Sequence, residues 1–342
     1  MKAIRLEDGD LYVRDVDVPV PAADQALVRI RASGVCHSDL HVARGDWMGV
    51  PRTGNLGHEG IGVVEALGAG AEAHVAVGDR VILGLGGMGG GHWCGACEYC
   101  LSGRPRHCSQ SQALMGTFAE QMTVWAPALV KIPDEIADEE APLACGGLTA
   151  FGAVKKLVKH GIGPGRTVAV VGAAGGLGHY AVQILNEFGY RVVGIDVGEE
   201  RLEFVRSLGA ERVVGAAEAA EVVMTEYGGV DAALVFAARV SGFDLGLNLL
   251  RPGGLFVAVG IPPGRDGNFE LNPWLLFLRD PTIIYSAVGT VQDMRELVDL
   301  AAAGKVTTHV SRQGSLSEVP TIFDELEAGA YLGRAVITDL TT

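Results

Sequence analysis

Residues 166–196 read RTVAVVGAAGGLGHYAVQILNEFGYRVVGID. Thr167–Val171 is an apolar run without alternation, the pattern of a strand buried on both faces. It ends in Gly172-Ala-Ala-Gly175-Gly176-Leu177-Gly178 and opens an amphipathic helix, after which YRVVGID predicts a second strand. A dinucleotide pyrophosphate needs a tight turn, a backbone without Cβ atoms near the phosphates, and a helix N-terminus aimed at the charge. Gly175, Gly176, Leu177 and Gly178 offer all three, although the pattern is G-x-x-G-G-x-G rather than G-x-G-x-x-G. Asp196 lies 24 positions past Gly172, where an acidic side chain would bond the adenosine ribose hydroxyls. A carboxylate there repels a 2′-phosphate, which favours NAD over NADP. Arg201 stands close enough in sequence to reach the same ribose.

The strand–helix rhythm continues outward from this stretch. EERLEFVRSLGA predicts a helix, and ERVVG, GVDAALVFA and GGLFVAVG predict further strands. The series describes a doubly wound parallel sheet of the Rossmann type. Upstream, runs such as QALVRIRASGV and GIGVVEALG are separated by turn residues and predict a mostly antiparallel β domain with long loops. Downstream, DMRELVDLAAAGKV and VPTIFDELEAGA predict helices, and GRAVITDL closes the chain as a strand. The expected organisation is a β domain over 1–147, a dinucleotide-binding domain over 148–285, and a segment 286–342 that completes the first domain.

Glycine accounts for 49 of 342 residues, about twice the usual share, so the chain makes many tight turns. A net charge of −14 with no basic block argues against nucleic acid or an anionic membrane as the main partner. No apolar run is long enough to span a membrane, and the N-terminus alternates like a strand rather than a signal peptide. A cytoplasmic location is expected, and in that reducing compartment clustered cysteines are more often metal ligands than disulfides.

Four of the six cysteines fall in CGACEYCLSGRPRHC, at Cys94, Cys97, Cys100 and Cys108. Their C-x2-C-x2-C-x7-C spacing suits one tetrahedral Zn²⁺ with no position left for a substrate, a closed structural site. A redox dithiol would need only two cysteines, and disulfides at this spacing would be cramped. The remaining cysteines occur in GVCHSDLH (Cys36) and APLACGGLTAF (Cys145), with NLGHEG (His58) between them. Cys, His and Cys from three segments form a three-ligand zinc site that keeps a fourth position open.

Together GVCHSDLHVARGDW, GHEGIGVV, the four-cysteine lobe, LACGGLTAF, GAAGGLG, GID and GRAV resemble the zinc-dependent alcohol dehydrogenases of the medium-chain dehydrogenase/reductase family, particularly its short bacterial and yeast-type members. The likeness covers nearly the whole chain. It implies a GroES-like catalytic domain, two zinc ions and NAD, and reversible oxidation of a primary or secondary alcohol to an aldehyde or ketone. Cys36, His58 and Cys145 would hold the catalytic zinc, which Glu59 would approach during ligand exchange. Asp39 would bond the free ring nitrogen of His58. Ser38 would hold the alcohol proton and His41 would pass it on. His37 and Arg334 would contact the pyrophosphate, Thr149 and the backbone around Val259, Ile261 and Val288 would border the nicotinamide, and Trp47 would narrow the substrate pocket. Family members of this length are commonly homotetramers, with a homodimer as the alternative.

The chain departs from the family pattern in three places: a longer glycine-rich segment at 84–93, a shorter segment at 109–117, and Tyr285-Ser286 in place of Gly-Ser. Among rivals, cinnamyl-alcohol members usually lack an acid such as Asp196, and polyol members usually replace the third ligand, here Cys145, with an acidic residue. A formaldehyde-type member stays open. A non-enzymatic redox sensor that binds NAD and zinc would have no use for the Ser38–His41 relay.

Overall fold

The computed structural model describes residues 1–47, 50, 52–85 and 90–342. Of the lengthened segment 84–93, residues 86–89 lie outside the described residues. The chain divides into two compact units, Met1–Leu148 with Val288–Thr342, and Thr149–Ala287.

The first unit is built on a seven-stranded sheet. Gln25–Val35 is its longest strand and pairs antiparallel with Gly60–Leu67, Gln121–Trp125 and Arg334–Asp339. Beyond Gly60–Leu67 follow Arg80–Leu83 and Val130–Lys131, and Val310–Ser315 lies parallel to Arg334–Asp339 at the other edge. A single N-terminal strand was expected, but the chain makes a hairpin of Lys2–Glu7 and Asp10–Asp15. Its two-residue turn, Asp8-Gly9, has both φ angles positive (52° and 97°), as a right-twisted hairpin requires. Val28, Ile30, Leu56, Phe118, Ile322 and Phe323 belong to the core that the sheet covers.

The second unit is a six-stranded, wholly parallel sheet ordered Arg212–Gly215, Arg191–Asp196, Thr167–Val171, Val230–Val235, Leu250–Ala258, Thr282–Tyr285. Thr167–Val171 and Val230–Val235 are buried along their whole length, because helices pack on the sheet. The strand order reverses on either side of Thr167–Val171, so the glycine turn that follows this strand stands at the topological switch point where such sheets bind ligands. Phe243, Phe256 and Phe269 pack together with ring centroids 5.6–6.1 Å apart. Among the described residues, no helix is long and apolar enough to cross a membrane.

Phe256 is completely buried, and truncating it would leave a cavity that a parallel sheet cannot close. Phe256→Ala is expected to destabilise the second unit by about 3–5 kcal/mol, read as a lower thermal midpoint; an unchanged midpoint would mean that this cluster is not the core.

Candidate active site

Three separate segments converge on one buried cluster. Cys36 follows the strand Gln25–Val35 and stands at the N-cap of the helix His37–Arg44. His58 and Glu59 precede the strand Gly60–Leu67, and Cys145 ends the 3₁₀ helix Asp138–Ala144. All four are buried, and one ligand atom from each lies within 4.8 Å of the others. Two glycines make the approach possible. A Cβ on Gly34 would lie 2.2 Å from the Glu59 carboxylate, and one on Gly57, whose φ is +83°, would lie 2.6 Å from the Phe118 backbone nitrogen.

The cluster's polar groups are held from outside it. Asp39 Oδ1 accepts the Gly57 N–H at 2.9 Å and lies 3.0 Å from His58 Nδ1. A carboxylate accepts, so Nδ1 carries the proton and Nε2 is turned towards the sulfurs. Nε2 is buried and has no hydrogen-bond partner among the described residues. Glu59 is held at one oxygen by the Gly146 N–H at 3.2 Å and at the other by Arg334, which also donates to the Val35 carbonyl at 2.9 Å.

The protonation pattern of the cluster reflects this packing. A hydrogen bond from Cys145 holds the Cys36 thiol well below its ordinary value and raises Cys145 well above it. Burial disfavours a charged His58, yet the Asp39 carboxylate outweighs it and the imidazole is raised. Burial pushes Glu59 up to about 7 against the pull of Arg334. An orphaned imidazole nitrogen facing two sulfurs and a carboxylate is the donor set of a tetrahedral zinc site. The cluster fits a zinc ion that displaces the protons its ligands hold.

The other expected residues of this unit distribute as follows. His41 is buried, with Nδ1 2.8 Å from Asp46 Oδ2 and its ring centroid 5.2 Å from Trp47. Ser38 is half-buried and His37 exposed on the same helix. Arg334 is buried, with its guanidinium already on Glu59 and Val35. Val288 has φ +45°, an unusual conformation for a β-branched residue.

Cys94, Cys97, Cys100 and Cys108 also lie within 4.8 Å of one another, and among the described residues all six cysteines are free thiols. The Cys94–Cys100 and Cys97–Cys100 sulfur separations are 3.9 and 3.5 Å, near the roughly 3.8 Å that Zn–S bonds of about 2.3 Å dictate in a tetrahedron. Backbone N–H groups of Ala96 and Cys97 hold Cys94 down to about 6, while burial and the neighbouring Cys97 push Cys100 up to about 12. This lobe too fits one zinc.

In the second unit, Gly172 has φ +83°, and a Cβ on Gly178 would lie 2.0 Å from the Gly172 carbonyl oxygen. A Cβ on Gly175 would meet only one neighbour, at 3.3 Å, so glycine there leaves space, and Gly176 follows in the same turn. Asp196 is buried at the end of its strand, accepting the Ala174 N–H at 2.7 Å and the Val197 N–H at 2.9 Å. The cradle fits a dinucleotide. Thr149 and Val259 are buried, Ile261 is exposed, and Arg201 is half-buried on the helix Glu199–Ser207.

Residues 22–134 match the model of the alcohol dehydrogenase GroES-like domain, and residues 176–303 that of the zinc-binding dehydrogenase family. An alcohol dehydrogenase of Geobacillus stearothermophilus is 40% identical, covering 98% of this chain and 99% of its own. The chain belongs to the zinc-dependent alcohol dehydrogenases of the medium-chain dehydrogenase/reductase family. Another member, from Moraxella sp. (strain TAE123), is 38% identical over 98% of this chain and 99% of its own. The crystal structure of the alcohol dehydrogenase from Aeropyrum pernix superposes with a TM-score of 0.88 at 34% identity, covering 98% and 99% of the two chains.

Within this dehydrogenase, no local pattern announces that Asp46 faces His41 or that Arg334 faces Glu59. The second pair spans 275 positions, and no local pattern reports so distant a partner. Asp39→Asn is expected to weaken zinc at the buried cluster by about 10- to 100-fold, measured by competition with a chromophoric chelator. Unchanged affinity would deny Asp39 its bracing role. Cys100→Ser should lower the thermal midpoint, with loss of activity only as the protein unfolds; lost activity at full stability would contradict a purely structural lobe.

Proposed function

We infer that the protein oxidises a primary or secondary alcohol to an aldehyde or ketone, reversibly, with transfer of a hydride to NAD. The observation that carries this is the joint burial of Cys36, His58, Cys145 and Glu59 in one cluster, in a chain whose second unit holds a dinucleotide turn. When bound, zinc supplies acidification of an alcohol hydroxyl and NAD supplies acceptance of the hydride.

The chain's own residues supply position and proton movement. Cys36, His58 and Cys145 would hold the catalytic zinc, with Glu59 beside them for ligand exchange. Asp39 keeps the His58 proton on Nδ1, so that Nε2 faces the metal position. Ser38 would take the substrate hydroxyl proton and His41 would carry it outward. The Asp46 carboxylate supports that role, because by holding a proton at His41 Nδ1 it leaves Nε2 as the accepting nitrogen. Cys94, Cys97, Cys100 and Cys108 would hold the second zinc and shape their loop. Gly175, Gly176, Leu177 and Gly178 would receive the pyrophosphate with His37 and Arg334, and Asp196 and Arg201 the adenosine ribose. Thr149, Val259, Ile261 and Val288 would border the nicotinamide. Trp47, close to His41, favours a slim primary or flat aromatic alcohol over a bulky one.

We place the domain divisions at 1–147, 148–285 and 286–342 on the strength of the sequence rhythm. A cytoplasmic setting accords with six unpaired thiols. A homotetramer, or a homodimer, is supported by the exposed apolar side chains of Trp274, Leu275, Phe277 and Leu278 on one short helix, a patch that a lone subunit would leave in water.

The reading is tested by following NAD reduction with ethanol, benzyl alcohol, 2-butanol and a polyol. The slim primary and aromatic alcohols should be turned over fastest. Cys36→Ser should lose turnover by about 10³-fold or more while NAD binding is retained. Parallel loss of both would contradict the division between metal site and dinucleotide site.

A further inference from the structure

A buried histidine of the second unit has no part in the roles above. His179 lies in the first turn of the helix Gly178–Glu187 and is fully buried. Its Nδ1 is 3.1 Å from the Gly175 carbonyl oxygen. A carbonyl only accepts, so Nδ1 carries the proton there. The same oxygen takes the His179 backbone N–H at 3.2 Å. The ring is clamped in turn, 3.9 Å from the Tyr180 ring and 6.3 Å from that of Phe204, which belongs to the helix following Asp196. Gln183 donates its side-chain amide to the His179 carbonyl at 3.0 Å.

This clamp acts on the peptide between two glycines, the first of which donates its own N–H to the Gly172 carbonyl at 3.2 Å. Gly175 has no side chain to pack, and even an added Cβ would find only one neighbour, at 3.3 Å. Two adjacent glycines are the most easily rotated pair a chain can have. A planar trans peptide sets the Gly175 carbonyl antiparallel to the Gly176 N–H. With the carbonyl drawn into the helix by two donors, the Gly176 N–H is turned outward, the direction from which a helix N-terminus receives an anion.

We propose that His179 is a positioning residue for the dinucleotide pyrophosphate, its imidazole locking the Gly175–Gly176 peptide plane. The proposal rests on the NAD reading given above. His179 touches no reacting atom, so it acts on cofactor affinity and not on the chemical step.

The test compares H179F, which keeps the ring without a donor, H179Q, whose amide extends past the Nδ1 position, and H179N, whose amide nitrogen falls near Nδ1. NAD and ADP-ribose are titrated calorimetrically into each full-length variant, and kcat is measured at saturating NAD. H179F and H179Q should bind both ligands roughly three- to ten-fold more weakly, the worth of one neutral hydrogen bond, with kcat unchanged. H179N should recover wild-type affinity to within about two-fold. Wild-type affinity in both H179F and H179Q would overturn the proposal, as would equal weakening in all three variants, which indicates packing alone. If the wild-type protein bound neither NAD nor ADP-ribose, the NAD reading itself would fall and the proposal with it.

Discussion

The constraint on which the first unit depends is the burial of two thiols, an imidazole, a carboxylate and a guanidinium around one point. An interior of that composition is costly unless every polar atom has a partner. The protein supplies partners one by one: Gly57 and His58 to Asp39, Gly146 and Arg334 to Glu59, and Val35 to Arg334. His58 Nε2 and Asp39 Oδ2 are the exceptions, buried without a hydrogen-bond partner among the described residues. A cation would satisfy Nε2. The two thiols also answer each other: one hydrogen bond holds Cys36 down and raises Cys145.

The two cysteine sites differ in ways that suit different work. Cys94–Cys108 is a single short segment whose thiols are mostly half-exposed, so its geometry is local and closed on itself. The buried cluster is assembled from three segments carried by the main sheet and is braced by long-range contacts such as Arg334 on Glu59. A site assembled in that way inherits the rigidity of the sheet, which keeps donors aligned for chemistry.

Much of this was legible in the sequence because it is local. The run TVAVV, the glycine turn and the helix after it predict their structures directly, and QALVRIRASGV coincides with the strand Gln25–Val35. The cysteine spacing, together with GVCHSDLH and NLGHEG, was enough to name the family that the comparisons establish. The N-terminal hairpin was missed because Asp8-Gly9 sits inside one alternating run, and its positive φ angles became evident only in the structure. Asp46 against His41 and Arg334 against Glu59 were hidden for another reason: tertiary packing chooses such partners, and no spacing announces them. His179 lay in plain view four residues after Gly175, a helical spacing that permits a side chain to reach back to a carbonyl. What could not be read was that its ring is buried and aimed there.

The most direct test is the zinc content of pure, folded protein, determined by elemental analysis for each chain. Two tightly held zinc ions per chain are predicted, one in the thiol lobe and one among Cys36, His58 and Cys145. A fully active protein with a single zinc, held by the lobe alone, would contradict the account.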